Sequence, residues 1–126
     1  MTRIGLVGHC GPDTSRLILA VNRAAPGARV ERIDSDDELR GFVDAGPGLL
    51  LVNRVLDGMF ADESGINLIR RLSQTHPAVR TMLISNFEDA QQEAVGAGAR
   101  PGFGKRDAGS PRAVDLIKAA LAPGGS

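Results

Sequence analysis

Residues 49–58 read LLLVNRVLDG, and this stretch decides the fold. Its run of four aliphatic residues, 49–52, predicts a β-strand that is buried on both faces, as in a parallel sheet covered by helices. The strand ends in Asn53, an uncharged amide, and the next acid along the chain is Asp57. Because α/β proteins bind ligands at the carboxyl ends of their strands, the side chain at this position bears directly on function.

Short apolar runs alternate with amphipathic stretches along the rest of the chain, which is typical of βα units around a parallel sheet. Strands are predicted at 3–9, 28–33, 49–53, 80–85 and 101–105. Helices are predicted from Asp13 to residue 24, after Ser35, from Ile66 to near Pro77, over 88–99, and after Ser110, with Asp13, Ser35 and Ser110 as N-caps. We therefore predict an α/β fold with a doubly wound, five-stranded parallel sheet, flavodoxin-like (βα)5, with strand order 2-1-3-4-5.

The composition bounds the size and the class of the protein. A chain of 126 residues with 42% apolar content suits one domain, predicted over 1–122 with a disordered tail at 123–126. Lys plus Arg equals Asp plus Glu, 15 each, which argues against nucleic acid and anionic membrane as partners. Apolar runs are too short to span a bilayer, and no secretory leader is recognisable. The single cysteine, Cys10, excludes an intramolecular disulfide, so we expect a cytoplasmic protein.

Four stretches of the sequence resemble one family, the receiver domains of bacterial response regulators. They are LLLVN…ADESG around the third strand, TMLISN with its hydroxyl residue Ser85, AVGAGARPGFGK ending in Lys105, and LVGHCGPD after the first strand. In that family the corresponding strand ends form a phosphorylation pocket. The resemblance places a degenerate version of this pocket at Gly8, His9, Cys10, Asn53, Ser85 and Lys105.

The residues in this predicted pocket do not match the chemistry of the family. An ordinary receiver has two adjacent acids after its first strand and a phosphoacceptor Asp after its third; together they bind Mg²⁺, and the Asp accepts a phosphoryl group from a histidine kinase. Here the acid pair is replaced by Gly8 and His9, or by His9 and Cys10, and the acceptor by Asn53. An amide cannot be the nucleophile, and Mg²⁺ prefers carboxylates. We therefore expect a pseudo-receiver with no metal, no cofactor and no catalytic residue.

Lys105 then needs another partner, because an unpaired buried ammonium is costly. We expect the side-chain oxygen of Asn53, with Asp57 or Asp62 as the alternatives. Asp57 is also a candidate phosphoacceptor, but only if the third strand runs about four residues further. Asp13 is expected to cap its helix rather than enter the pocket.

Other residues of the predicted pocket leave alternatives open. Ser85 is either a switch hydroxyl or a group that satisfies backbone at a strand end. The rotating aromatic residue of the family aligns with Gly102 or Phe103; if Gly102 holds the position, the aromatic relay is absent and Phe103 belongs to the core. His9 and Cys10 could bind a soft metal or form a thiolate–imidazolium pair, but neighbouring residues on a strand point to opposite faces.

The leading hypothesis is a receiver-like interaction module that works without phosphorylation and is not an enzyme. In the family, the fourth helix, fifth strand and fifth helix form the face that binds protein partners or a second copy. Two alternatives remain: a phosphorylatable receiver that uses Asp57, and a small flavodoxin-like binding protein or enzyme that uses His9, Cys10 and Lys105. The predicted partner face includes Gln91, Gln92, Arg100, Phe103 and Arg112.

Overall fold

The computed structural model describes residues 2–122, so the predicted tail at 123–126 lies outside the described residues. The strands are β1 (Arg3–Val7), β2 (Arg29–Ile33), β3 (Gly48–Asn53), β4 (Val79–Ile84) and β5 (Arg100–Phe103). The helices are α1 (Gly11–Ala24), α2 (Asp36–Asp44), α3 (Gly65–Thr75), α4 (Glu88–Gly96) and α5 (Pro111–Leu121), with a 3₁₀ turn at Lys105–Asp107. All strands are parallel in the order β2-β1-β3-β4-β5, which confirms the predicted fold class.

Strand β3 lies at the centre of this sheet, between β1 and β4. Leu49 and Leu51 point into one apolar cluster, whereas Leu50 and Val52 point into the other. All four side chains are 0% exposed, which explains why the strand has no polar alternation.

The helices cover the two faces of the sheet unequally. Helices α1 and α5 pack on one face through buried residues Leu17, Ala20, Val21, Ala113, Ile117 and Ala120. Helices α2, α3 and α4 cover the other through Leu39, Phe42, Val43, Ile66, Leu68, Ile69, Leu72 and Ala94. Helix α4 contributes only Ala94 as a buried residue, since Ala90 is half-buried and Val95 is exposed. No helix within residues 2–122 has the length and apolar content needed to cross a lipid bilayer.

The helix starts explain most of the boundaries. The Ser35 and Ser110 hydroxyls accept hydrogen bonds from the backbone N–H groups of Glu38 and Ala113, at 3.1 and 3.2 Å, so both predicted N-caps are confirmed. The predicted cap at Asp13 is wrong. The N-cap of helix α1 lies three residues earlier, at Cys10, and Pro12 is in the first turn, where a missing N–H costs nothing.

Strand β1 ends at Val7, two residues before the predicted end at residue 9, and Gly8 follows it. Its φ of +73° is left-handed, and its N–H donates to the carbonyl of Ile33 on β2 at 3.0 Å. A Cβ atom at this position would lie 2.8 Å from a side-chain carbon of Leu56 and 3.0 Å from its Cα atom. The chain therefore requires glycine here. An acid at position 8 would meet the same obstruction.

We expect Gly8→Ala to lower the free energy of unfolding by at least about 1–2 kcal/mol, because it combines a left-handed φ with the contact at Leu56. Urea denaturation measures the loss. Gly11→Ala is the matched control, since a Cβ atom there meets nothing within 4 Å and Gly11 lies in α1. Equal stabilities of the two variants would contradict this account.

Candidate functional site

The carboxyl ends of β3, β4 and β5 meet at a small cavity of about 170 Å³. Asn53 is the last residue of β3, Ser85 directly follows β4, and Lys105 begins the 3₁₀ turn after β5. The structure therefore brings together three of the predicted pocket residues. The lining residues are Asn53, Arg54, Val55, Ile84, Ser85, Asn86, Phe87 and Lys105.

The Asn53 side chain is only 8% exposed, and its amide is oriented by a backbone group. Its Nδ2 donates to the carbonyl oxygen of Gly8 at 2.9 Å. The same oxygen accepts the backbone N–H of Asp57 at 3.0 Å. A carbonyl can only accept, so this position calls for a donor, which an amide supplies and a carboxylate does not.

Lys105 pairs with Asp13, and the predicted pairing with Asn53 is wrong. The Lys105 Nζ lies 2.8 Å from the Asp13 Oδ2, and the two side chains are 33% and 15% exposed. The hydrogen bond from Lys105 holds the pKa of Asp13 below its ordinary value, although desolvation opposes this. Asp13 is thus an acid of the site, not a helix cap. It is the first acid after β1 in the sequence, and this is the signal that could have identified it.

The acids of the β3–α3 loop do not reach Lys105. Asp62 accepts the backbone N–H of Ser64 at 2.9 Å. Asp57 is exposed and does not line the cavity of Lys105. Strand β3 ends at Asn53, so the strand extension that would make Asp57 the acceptor does not occur.

The three residues at the predicted acid-pair positions do not form a shared binding site. Gly8 has no side chain. The His9 ring is buried, and its Nε2–H donates to the Leu51 carbonyl at 2.8 Å. Cys10 occupies the N-cap position of α1 and is half-buried. His9 and Cys10 therefore do not converge on a shared ligand.

Burial determines the charge state of His9. It lowers the pKa from 6.5 to about 4, while the hydrogen bond to Leu51 raises it and the charge of Lys105 lowers it further. The Nδ1 atom is buried without a hydrogen-bond partner. The ring is therefore neutral near pH 7, which disfavours the thiolate–imidazolium alternative.

These donors do not fit Mg²⁺, the ion that the fold family implies. Asp13 supplies the one carboxylate that contacts Lys105, and it is already engaged in that ion pair. The Asn53 amide is tied to Gly8 through its nitrogen. Within residues 2–122 no group of three or more His, Cys, Asp or Glu side chains is arranged to hold a metal. Mg²⁺ needs carboxylate oxygens that this arrangement lacks.

The Ser85 hydroxyl satisfies backbone at the end of β4. Its Oγ accepts the N–H of Phe87 at 3.1 Å, while the Ser85 N–H donates to the Phe103 carbonyl at 3.0 Å. This is the geometry of the backbone alternative. The neighbouring Asn86 Oδ1 accepts the N–H of Arg106 at 3.2 Å and so ties the end of β4 to the turn after β5.

The predicted partner face requires two corrections. Phe103 is 1% exposed and belongs to the core, so it presents nothing to a partner. Gln91 is turned inward, and its Nε2 lies within hydrogen-bond distance of the carbonyls of Leu83, Ser85 and Phe103, at 2.9, 3.1 and 3.3 Å. Gln92 and Arg112 are exposed and line a groove between α4 and α5, whereas Arg100 is half-buried and outside it.

Gly102 leaves no room for an aromatic side chain at its position. A Cβ atom there would overlap the Leu83 carbonyl oxygen and lie 2.8 Å from the Gln91 Oε1. The Gln91 amide thus occupies the space next to Gly102. Of the two predicted alternatives, the structure has a buried Gly102 beside the groove and Phe103 in the core.

Comparison with solved structures finds receiver domains. An orphan response regulator of H. pylori matches 96% of this chain and 97% of its own, with a TM-score of 0.72 and 16% identity. The signal receiver domain of a DNA-binding response regulator from Colwellia psychrerythraea 34H matches 94% of this chain and 96% of its own, with a TM-score of 0.71 and 16% identity.

A response regulator from Burkholderia pseudomallei, solved with a phosphorylated aspartic acid, calcium ion and citrate, matches 99% of this chain and 69% of its own, with a TM-score of 0.69 and 20% identity. The sequence matches no protein-family model and no curated protein. The chain therefore shares the fold of two-component response regulator receiver domains.

We expect Asn53→Asp to lower the free energy of unfolding by about 1–3 kcal/mol near pH 7. The carboxylate cannot donate to the Gly8 carbonyl, and Lys105 is already paired with Asp13. Chemical denaturation with a metal chelator present measures this. Asn67→Asp, an exposed amide in the first turn of α3, is the control and should be close to neutral. An Asn53→Asp protein as stable as the parent would contradict the assigned hydrogen bond.

Because His9 is buried in its neutral form, we expect the free energy of unfolding to fall as the pH drops from 6.5 towards 4. In this range the histidine binds a proton in the unfolded chain but not in the folded protein. The loss reaches about 3 kcal/mol. Asp13, with its lowered pKa, adds a loss in the same direction at still lower pH. Urea denaturation across this range measures the slope.

His9→Gln is the matched variant for this pH experiment, since it can keep a donor towards Leu51 but does not titrate. Its stability should vary much less between pH 6.5 and pH 4 than that of the parent. Parallel curves for the two proteins would show that another group carries the pH dependence.

Proposed function

We propose that this protein is a receiver-like interaction module of two-component type that acts in the cytoplasm without phosphorylation and without catalysis. It communicates with protein partners through the surface formed by α4, β5 and α5. Its output depends on the shape of this surface rather than on a phosphoryl group.

The observation that carries this proposal is the hydrogen bond from Asn53 to Gly8 beside the Lys105–Asp13 ion pair. An acyl phosphate needs a carboxylate nucleophile, and position 53 holds an amide whose nitrogen is already committed to a carbonyl. The ammonium that would face a phosphoryl group is neutralised by Asp13. The side chains of Asn53 and Lys105 thus both have partners within the protein.

The proposed partner surface is held in one arrangement by Gln91. Its amide joins α4 to the ends of β4 and β5, and it fills the space beside Gly102. The groove next to it presents Gln92, Val95 and Arg112. A partner side chain that packs apolar atoms against Val95, which is 46% exposed, would fit this surface.

Titration with acetyl phosphate or beryllofluoride in the presence of Mg²⁺, followed by NMR, tests the proposal. We expect the amide resonances of Asn53, Ser85 and Lys105 to stay unchanged, because the site offers no carboxylate nucleophile and does not fit the metal. A conventional receiver domain, treated in parallel, shows that the reagents are active. Shifts that cluster around Asn53 would refute the proposal.

Intact-mass measurement after acetyl phosphate treatment tests the alternative that Asp57 is a phosphoacceptor. A mass increase that disappears in Asp57→Asn would assign phosphorylation to Asp57 and contradict the proposal. Asp62→Asn, in the same loop, is the matched control for that assignment.

Light scattering on the untreated protein tests whether a second copy occupies the proposed surface. Val95→Glu is the variant that should dissociate such a dimer.

A further inference from the structure

A second cleft lies between α1 and the connection from β5 to α5, outside the cavity of Asn53. On α1 it is lined by Arg16, Leu19 and Arg23, which share one face of the helix at spacings of three and four residues. The opposite wall is formed by Lys105, Arg106 and Ala108. Its volume is about 330 Å³.

The charges around this cleft are of one sign. Four of its lining side chains are cationic, and no acid lines it; one of the four, Lys105, is paired with Asp13 from outside the cleft. Across residues 2–122, Arg16, Arg23 and Arg106 form no salt bridge; Arg23 only donates to the Gly109 carbonyl, at 3.5 Å. The nearby Asp107 is directed to Arg112, 3.6 Å away.

This group of cationic side chains contrasts with the chain as a whole, which has 15 basic and 15 acidic residues. Like charges gathered in one cleft repel one another, and arginine cannot relieve the repulsion by losing its proton. An anion in the cleft would remove this cost. Guanidinium groups bind phosphate oxygens with two parallel hydrogen bonds, so adjacent phosphates suit several arginines better than a single carboxylate does.

We propose that this cleft binds a compact anion with two adjacent phosphate groups, a diphosphate. Arg16 and Arg23 hold it from the helix, and Arg106 holds it from the turn after β5. Lys105 also lines the cleft, but its ammonium is already paired with Asp13. The diphosphate comes either from inorganic pyrophosphate or from a nucleotide. The inference does not depend on the proposed function, because the three arginines that hold the anion lie outside the cavity of Asn53.

Titrations with pyrophosphate and with ADP, followed by amide NMR at a constant ionic strength of about 0.1 M, test this inference. We expect shifts at Leu19, Ala108 and Gly109. Similar affinities would assign recognition to the diphosphate alone, whereas tighter binding of ADP would identify a nucleotide. Both results support the inference.

The double variant Arg16→Gln/Arg23→Gln should weaken pyrophosphate binding about tenfold or more. Arg29→Gln/Arg71→Gln removes the same charge from exposed arginines elsewhere and should bind like the parent. Arg106→Gln, which lies outside the α-helices, gives a second test if the double variant does not fold.

Three results would overturn the inference. The first is the absence of shifts at Leu19, Ala108 and Gly109 with either probe. The second is an equal loss of affinity in the Arg29→Gln/Arg71→Gln control, which would indicate bulk electrostatics. The third is binding of an acidic peptide such as hexaglutamate at these amides where pyrophosphate does not bind.

Discussion

The Gly8 carbonyl is the group on which the arrangement of the site depends. It accepts the Asn53 amide and the Asp57 backbone N–H, and so joins the end of β1 to the end of β3 and to the loop that follows. Because a carbonyl accepts only, the Asn53 amide can bond to it, whereas an ionised carboxylate at position 53 could not. The left-handed conformation of Gly8 directs this carbonyl towards β3, and the contact at Leu56 excludes any other residue. The glycine at position 8 and the amide at position 53 therefore support each other.

The charge balance of the site follows from the same local geometry. Early initiation of α1 places Asp13 inside the first helical turn, where its carboxylate meets Lys105. The ammonium is thereby neutralised by a residue of α1, and its environment no longer needs an acid from β3. His9 turns away from this ion pair and stays neutral beside Leu51. The site keeps its shape through internal partners.

The α4 side of the molecule shows how a weakly packed helix can still be held in place. Only Ala94 of α4 is buried, so apolar contact contributes little to its position. The Gln91 amide fixes the helix by hydrogen bonding instead, since it contacts carbonyls at the ends of both β4 and β5. Its Oε1 remains without a partner, which is a cost that the bonds of its nitrogen offset.

The sequence by itself determined the two-sided burial of β3 and the serine caps, because hydrophobic period and cap chemistry are local properties. The strand order followed from the five βα units, which suit a flavodoxin-like sheet. The resemblance to receiver domains placed Asn53, Ser85 and Lys105 in one pocket, and they do line one cavity. Only the tertiary structure decided that Asp13 meets Lys105, that Gln91 points inward and that the arginines of α1 face the turn after β5. These contacts join residues far apart in the chain and depend on the residue at which a helix begins. A shift of three residues in the N-cap of α1, from Asp13 to Cys10, turned an expected cap into an ion-pair partner.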